Sequence, residues 1–353
     1  MHLMTVTPVP LMALKESLLR KNKMKKVVFI ILALYVRFDI HAQLTFSSDT
    51  NILKRTFVYK TVGTTQIHAD FYQANDYASS PAIIWIHGGA LMFGSRADIP
   101  LEQLKLYLKA GYSVLSIDYR LAPETKLPEI IKDVTDGIEW TRNTGHDLLK
   151  IDTAHIFVVG QSGGAYLALM TGYLMPNPPK GIISFYGYGT ILEDWYNKPD
   201  SFACTKTPVT KESANKLIGD STITEAPVRD RLDLYIYSRQ KGIWPQLVTG
   251  HDPKKEAKWF NKYSPVKNIH SNYPPVLLIH GDKDLDVPFI ESLFLDKKLT
   301  EKKVKHRLIR MKNYGHLFDI FEGGLSNPDV NKTFTDVIMF LNSCKKPYLR
   351  VKH

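Results

Sequence analysis

Cysteine is almost missing from this chain. Cys204 and Cys344 are the two in 353 residues, so at most one disulfide is open to it and no framework of bridges can hold the fold. One bridge is permitted, and two free thiols fit the sequence at least as well. Neither cysteine stands beside a histidine or aspartate that would activate it, and no His/Cys group has the spacing of zinc ligands. No metal and no cofactor are expected. Long apolar runs are missing too. The run at 27–36 has ten residues and stops at Arg37, against the roughly 20 that a membrane-crossing helix needs. The formal net charge is +11, yet no basic stripe is interleaved with aromatics. Residues 1–42 hold seven Lys/Arg against two Asp/Glu, leaving +6 scattered over the rest with a small cluster at Lys345-Lys346 and Arg350-Lys352. That pattern is a solvated surface and excludes a nucleic-acid footprint.

The front of the chain reads as a targeting segment. Met24-Lys25-Lys26 is a basic start, the apolar run follows, and His41-Ala42-Gln43 offers a small residue for cleavage. Residues 1–42 are therefore expected to be removed near Ala42-Gln43, with the chain exported to the periplasm or beyond. An uncleaved anchor is the plainer alternative; no stable membrane anchor is expected, because the run is short. No cysteine follows it to carry a lipid. Whether translation starts at Met1 or Met24 stays open.

Residues 43–353 form the expected catalytic domain. With 44% hydrophobic and 23% charged residues, the chain can bury one large core. Segments 56–62 and 66–71 alternate apolar and polar residues around Gly63-Thr64-Thr65, the pattern of an antiparallel hairpin. Strands are then expected at 82–87, 112–118, 155–159, 181–186, 276–280 and 305–310. Helices are expected at 101–110, 128–142, 165–170, 289–302 and 329–342, the second opened by a proline and carrying Ile130, Ile131, Val134, Ile138 and Thr141 on one face. Strands alternating with helices give an α/β fold whose mostly parallel sheet is covered on both faces. Between about 188 and 272 the pattern breaks, and Trp195, Tyr196, Phe202, Tyr235, Tyr237, Trp244, Trp259, Phe260 and Tyr263 appear without sheet periodicity. So long a stretch inside a domain is usually functional. It reads as a helical cap insertion whose aromatics mostly pack it onto the core.

Chemistry enters at Gly160-Gln161-Ser162-Gly163-Gly164. The pentapeptide follows a buried strand and precedes an apolar helix, the order a nucleophile elbow requires. The turn is tight enough to strain the serine backbone, and its flanks must be almost free of side chains. A serine hydroxyl is a weak nucleophile near neutrality, so it needs a base, an orienting acid and donors for the oxyanion. Gly88 and Gly89, in His87-Gly88-Gly89-Ala90 after a buried strand, and Gly163 after the serine can supply those donors as backbone N–H groups. His280-Gly281-Asp282-Lys283-Asp284-Leu285-Asp286 follows a buried strand, and Asn313-Tyr314-Gly315-His316 another. Ser, Asp and His thus come in the chain order of α/β-hydrolases.

These motifs resemble the hormone-sensitive-lipase-like carboxylesterase group of the α/β-hydrolases, from about residue 57 to about 341. The resemblance also rests on Asp118-Tyr119-Arg120-Leu121-Ala122-Pro123-Glu124, then Pro128, Asp133 and Trp140 at that group's spacing. Aligning Val287-Pro288 puts the triad acid at Asp284, with Asp282 and Asp286 as its competitors. Two positions depart from the group: Ala90 stands where a third glycine is frequent, and Gly163 where alanine is. The resemblance implies acyl transfer with Ser162 as nucleophile, His316 as base and Asp284 as its orienting acid, on a small-molecule or carbohydrate ester. His87 is expected to shape the oxyanion loop, and Asp118, Arg120, Glu124 and Asp133 to hold the neighbouring loop by ion pairs. The segment from His280 to His316 also resembles prolyl-oligopeptidase-type exopeptidases, but too few residues precede the first helix-flanked strand for their propeller. A catalytically silent ligand-binding member of this fold would normally have lost a triad residue. The natural ester, the acyl length and the oligomeric state are not legible here.

Overall fold

The computed structural model describes residues 52–74 and 79–345. The expected targeting segment at 1–42 and its cleavage site lie outside the described residues. No described helix is long and apolar enough to cross a membrane. Cys204 and Cys344 are both free thiols.

The chain opens with the hairpin β1 (Lys54–Val62) and β2 (Thr65–Tyr72), paired antiparallel across Gly63, whose positive φ of 58° suits a residue without Cβ. Then come β3 (Ser80–Ile86), α1 (Leu101–Lys109), β4 (Ser113–Ile117), α2 (Leu127–Thr144), β5 (Ile151–Gln161), α3 (Gly163–Leu174) and β6 (Ile182–Phe185). After the cap follow β7 (Val276–Gly281), α10 (Ile290–Glu301), β8 (His306–Met311) and α11 (Pro328–Lys345). The eight described strands lie in the order β1-β2-β4-β3-β5-β6-β7-β8. β2 pairs antiparallel with β4, and every pair from β4 to β8 is parallel.

Why these segments are strands follows from their burial. Ile83, Ile84, Trp85 and Ile86 are inaccessible, as are Phe157, Val158 and Val159. Side chains on both faces of a central parallel strand are covered, so the sequence runs apolar instead of alternating. Helix α3 is buried from Gly163 to Gly172, which its composition permits because it is apolar all round. By contrast α2 buries Ile130, Ile131, Val134, Ile138 and Thr141 and turns Lys132 outward, where it pairs with Asp136 one turn on at 2.9 Å. On β8, Arg307 pairs with Asp336 and Arg310 with Asp282. Charged side chains on the last described strand guard its edge.

Between β6 and β7 the chain forms no strand but a short 3₁₀ helix (Ala203–Thr205) and six α-helices: α4 (Asp194–Asn197), α5 (Lys211–Asn215), α6 (Val228–Lys241), α7 (Trp244–Thr249), α8 (Ala257–Asn261) and α9 (Pro265–Asn268). Its aromatics pack among themselves. Tyr196 stacks on Trp244 at 4.1 Å and on Trp195 at 3.7 Å, and Tyr188 meets both Tyr196 and Trp244 edge-on. Polar ties then fix this layer to the sheet domain. Arg231 pairs with Glu124 at 2.7 Å, both almost inaccessible. Gly94 and Ala226 form an isolated antiparallel bridge, Tyr166 Oη donates to Tyr263 O at 2.6 Å, and Trp244 Nε1 donates to Ala90 O at 3.1 Å.

The loop after β4 is held by the ion pairs its sequence suggested. Arg120 clamps Asp133 with two bonds of 2.7 and 2.8 Å, and Arg96 pairs with Asp118 while its N–H donates to the same carboxylate. Burial pushes Asp118 up to about 7 even so, with Arg96 pulling against it.

Candidate active site

Ser162 sits between β5 and α3 with φ 51° and ψ −120°, a left-handed backbone that costs a non-glycine residue strain. Its surroundings impose that geometry. Ser162 N donates to Phe185 O at 2.9 Å, tying the turn to β6, while Ser162 O accepts from Ala165 N and Tyr166 N to start the helix. A Cβ on Gly164 would lie 2.3 Å from Ile86 O, and one on Gly160 would lie 2.3 Å from Gly164 O. Backbone cannot yield to either, so both elbow glycines are steric requirements of bringing helix and strands this close.

Four separate chain segments meet at the serine. His316, in the loop after β8, has Nε2 3.0 Å from Ser162 Oγ and Nδ1 2.6 Å from Asp284 Oδ2. Asp284, in the loop after β7, has no exposed side-chain surface. Its Oδ1 accepts from Asp286 N at 2.8 Å and Val287 N at 2.9 Å, which orients the carboxylate. Burial alone would raise its pKa; the His316 charge and bonds from His280 and His316 outweigh burial and hold it below the usual carboxylate range. For His316, burial favours the neutral ring, but Asp284, Asp286 and Asp319 prevail and its pKa lies above 6.5. The ring also packs on Tyr186, centroids 4.6 Å apart.

The three competing aspartates have separate duties. Asp282 faces Arg310 at 2.8 Å and accepts from Asn313 N at 2.7 Å, so it braces the loop after β8. Asp286 accepts from Tyr235 Oη at 2.6 Å and Arg239 at 3.0 Å, both on α6 of the cap. Only Asp284 reaches Nδ1 of the imidazole.

Gly88 lies against the serine: a Cβ there would be 3.4 Å from Ser162 Cβ. Gly89 has φ 90°, and a Cβ on it would strike Phe93 O at 1.9 Å. Among the described residues, no backbone carbonyl accepts from Gly88, Gly89 or Gly163 N–H. Such free amides are what an oxyanion site requires. The two departures at 90 and 163 meet in space. Ala90 and Leu91 take positive φ of 51° and 62°, and a Cβ on Gly163 would lie 3.3 and 3.2 Å from their nitrogens. A glycine after the serine thus accommodates a loop that coils tightly over it.

His87 is buried, stacked on Tyr119 at 4.2 Å, with Nδ1 donating to Gly88 O at 2.9 Å. Tyr119 Oη donates to the carbonyls of His87 and Gly88. Burial lowers His87 to about 4, so it stays neutral and shapes the loop.

Sequence reasoning missed two participants. His280 read as the end of a buried strand; its Nε2 lies 3.2 Å from Asp284 Oδ2, and its Nδ1 bonds Ser292 Oγ at 2.7 Å. Asp319 is buried, and Gln103, Gln161 and Tyr186 all donate to it at 2.5 to 2.7 Å. It links the residue before the serine to the ring that supports His316. The signal available was its place three residues after the histidine. Among the described residues no group of three His, Cys, Asp or Glu is arranged to hold a metal ion.

A mostly parallel sheet with a strained serine between strand and helix, and acid and histidine on later strand ends, defines an α/β hydrolase. Comparison with known proteins narrows this further. The BD-FAE family profile matches residues 69–299, well over half of the chain, and the chain belongs to that family. The chain spans only about 13 to 14% of the length of the first curated relatives it matches, which are much larger proteins. Esterase LipC of Mycobacterium tuberculosis is 26% identical over 289 residues, covering 77% of this chain and 61% of LipC. The non-reducing polyketide synthase Preu6 of Preussia isomera is 28% identical over 300 residues, 75% of this chain but only 14% of that protein. Among solved structures, an α/β hydrolase superfamily protein from Enterococcus faecalis has TM-score 0.66 at 22% identity, with 82% of this chain and 99% of that one covered. The thermophilic esterase Est2 of Thermogutta terrifontis has TM-score 0.60 at 19% identity, covering 85% and 95%. Est2 has been solved with propionate bound, with butyrate bound and phosphonylated by sarin.

Proposed function

We propose that this chain is an exported serine esterase that hydrolyses short-chain carboxylic esters through an acyl-enzyme. The observation that carries the reading is the unbroken relay from Ser162 Oγ to His316 Nε2 at 3.0 Å and from His316 Nδ1 to Asp284 at 2.6 Å. His316 takes the serine proton as Oγ bonds to the ester carbonyl carbon. Asp284 holds the imidazole with its proton on Nδ1 and stabilises the imidazolium. The carbonyl oxygen becomes an alkoxide facing Gly88, Gly89 and Gly163 N–H. Collapse of this intermediate breaks the C–O bond to the alcohol, which leaves with the proton from Nε2. Water, deprotonated by His316, then attacks the acyl-serine and releases the acid.

Short acyl groups are favoured because the cap packs its own aromatics and is tied to the oxyanion loop through Trp244. An enclosed acyl pocket is the arrangement consistent with that. Est2, similar in fold, accommodates propionate and butyrate. An exported enzyme meets acetylated polymers, so acetyl groups on carbohydrates are the substrate to test first. A panel of nitrophenyl esters from acetyl to palmitoyl, run beside acetylated xylan and a prolyl-peptide anilide, tests the reading. Rates should peak at or below about six acyl carbons, as a bounded pocket of this class would give, and the anilide should not be cleaved. Faster palmitoyl than butyryl turnover, with activation at an oil–water interface, would indicate a lipase instead.

The pH dependence follows from the histidine. Its pKa lies above 6.5, and only the neutral ring can accept the serine proton. Turnover should therefore fall as pH drops through that value and level off on the alkaline side. A profile flat between about pH 5 and pH 8, with the protein folded throughout, would remove the histidine base.

A further inference from the structure

Asp286 touches three parts of the molecule at once. Its N–H donates to Asp284 Oδ1 at 2.8 Å, so its main chain helps orient the candidate triad acid. Its Oδ1 accepts from Tyr235 Oη at 2.6 Å and from Arg239 at 3.0 Å, and its carbonyl accepts from Arg239 at 3.2 Å. Its remaining oxygen, Oδ2, takes no hydrogen bond among the described residues and stands 3.7 Å from His316 Nε2. That nitrogen is the one facing Ser162.

We propose that Asp286 is a positioning residue: its carboxylate holds the protonated His316 from the Nε2 side, and the cap's Tyr235 and Arg239 hold that carboxylate in place. The distance argues for this division of labour. At 3.7 Å, Oδ2 is too far to accept the Nε2 proton, so it does not compete with the serine or the leaving alcohol. It is close enough for its charge to act on an imidazolium. Asp284 serves the Nδ1 side by a short bond, and Asp286 serves the Nε2 side by charge alone.

The cap makes this placement firm. Arg239 is almost inaccessible, pairs with Asp200 at 3.0 Å as well, and lies over the rings of Trp195, Tyr196 and Tyr235. A buried guanidinium with two carboxylate partners costs much to displace. The fixed cap therefore sets where the Asp286 charge stands. Every group facing the imidazole must be counted. Asp284 lies at Nδ1, Asp286 near Nε2 and Ser162 at Nε2; the Tyr186 ring packs on it at a tilt, and the Asp319 charge also acts on it. His280 stands behind Asp284, and Arg239 behind Asp286 offsets part of that charge.

The proposal rests on His316 being the base of the proposed esterase, and its test uses a readout that needs no turnover. The His316 imidazole is titrated by NMR in the full chain, in Asp286→Asn and in Tyr235→Phe, beside pH–rate profiles on a butyryl ester. D286N can keep its bonds from Tyr235 and Arg239 through the amide oxygen but removes the charge. The midpoint should fall by roughly half to one pH unit, as a charge at that distance in a water-like dielectric implies, and the acid limb of turnover should move with it. Y235F removes the Tyr235 hydroxyl that bonds Asp286 and Arg239 but keeps the carboxylate charge, so its midpoint should move by less than half as much. D286S, read the same way, serves if D286N does not fold. An unchanged midpoint in a folded charge-removing variant overturns the proposal and leaves Asp286 a cap anchor. A Y235F shift equal to that of D286N also overturns it, assigning the effect to cap seating. Absence of ester turnover in the unsubstituted chain would instead sink the esterase reading, a result the NMR midpoint keeps separate.

Discussion

Ser162→Ala should leave a folded protein whose ester turnover falls by about 10⁴-fold or more, the scale seen when a serine hydrolase loses its nucleophile. The fold should survive because the side chain contributes little to packing. Among the described residues its hydroxyl bonds His316 Nε2 at 3.0 Å and no other group, and the elbow is held by backbone, through Ser162 N to Phe185 O and Ser162 O to the start of α3. Alanine keeps the Cβ that the left-handed backbone already tolerates. KM should change far less than kcat, since ground-state contacts remain and only the covalent step is lost. Thermal unfolding within a few degrees of the parent, together with collapsed kcat on an acetyl or butyryl ester, is the expected pair of results.

Asp284→Asn should be nearly as damaging, with kcat down on the order of 10⁴-fold, whereas Asp282→Asn should cost little. The loss comes from a proton in the wrong place. Asp284 Oδ1 accepts two backbone N–H bonds, from Asp286 and Val287, so an asparagine would keep its carbonyl oxygen there and turn its NH₂ toward His316. Nδ1 would then have to accept, placing the ring proton on Nε2, where the serine proton must go. Asp282 is committed to Arg310 and Asn313 N and never reaches the imidazole. Measuring kcat/KM for both variants, with unfolding curves to verify the fold, separates them. A larger loss in D282N than in D284N would mean the acid has been assigned to the wrong carboxylate.

Much of the sheet was legible because its strands are of the kind that sequence reveals best. Segments such as Ile83 to Ile86 are buried on both faces and punctuated by glycine-centred turns, and each expected strand and helix lies within a few residues of an observed one. The candidate triad was legible for a related reason. Ser162, Asp284 and His316 each follow a strand, and strands of a parallel sheet deliver their ends to one edge. The cap was not legible in detail. Helix α6 buries Arg231 and Arg239 beside Leu234 and Tyr235, so no apolar stripe marks its inner face. What holds it is tertiary: carboxylates at 124, 200 and 286, scattered over the chain. The same reason hid the tie of Asp286 to α6, which crosses 47 residues, and Asp319 altogether, whose tie to Gln103 crosses 216. The Ala90 and Gly163 departures became intelligible only when their backbones were found side by side.

The central claim is that the acyl group passes through Ser162. A fluorophosphonate ester tests it most directly, because such probes bond to an activated serine and the adduct survives digestion. After incubation with the probe, intact-mass measurement and peptide mapping should find one adduct per chain on Ser162, parallel loss of esterase activity, and neither adduct nor activity in Ser162→Ala. An adduct on another residue that accompanies inactivation, or full turnover with Ser162 unlabelled, would contradict the account.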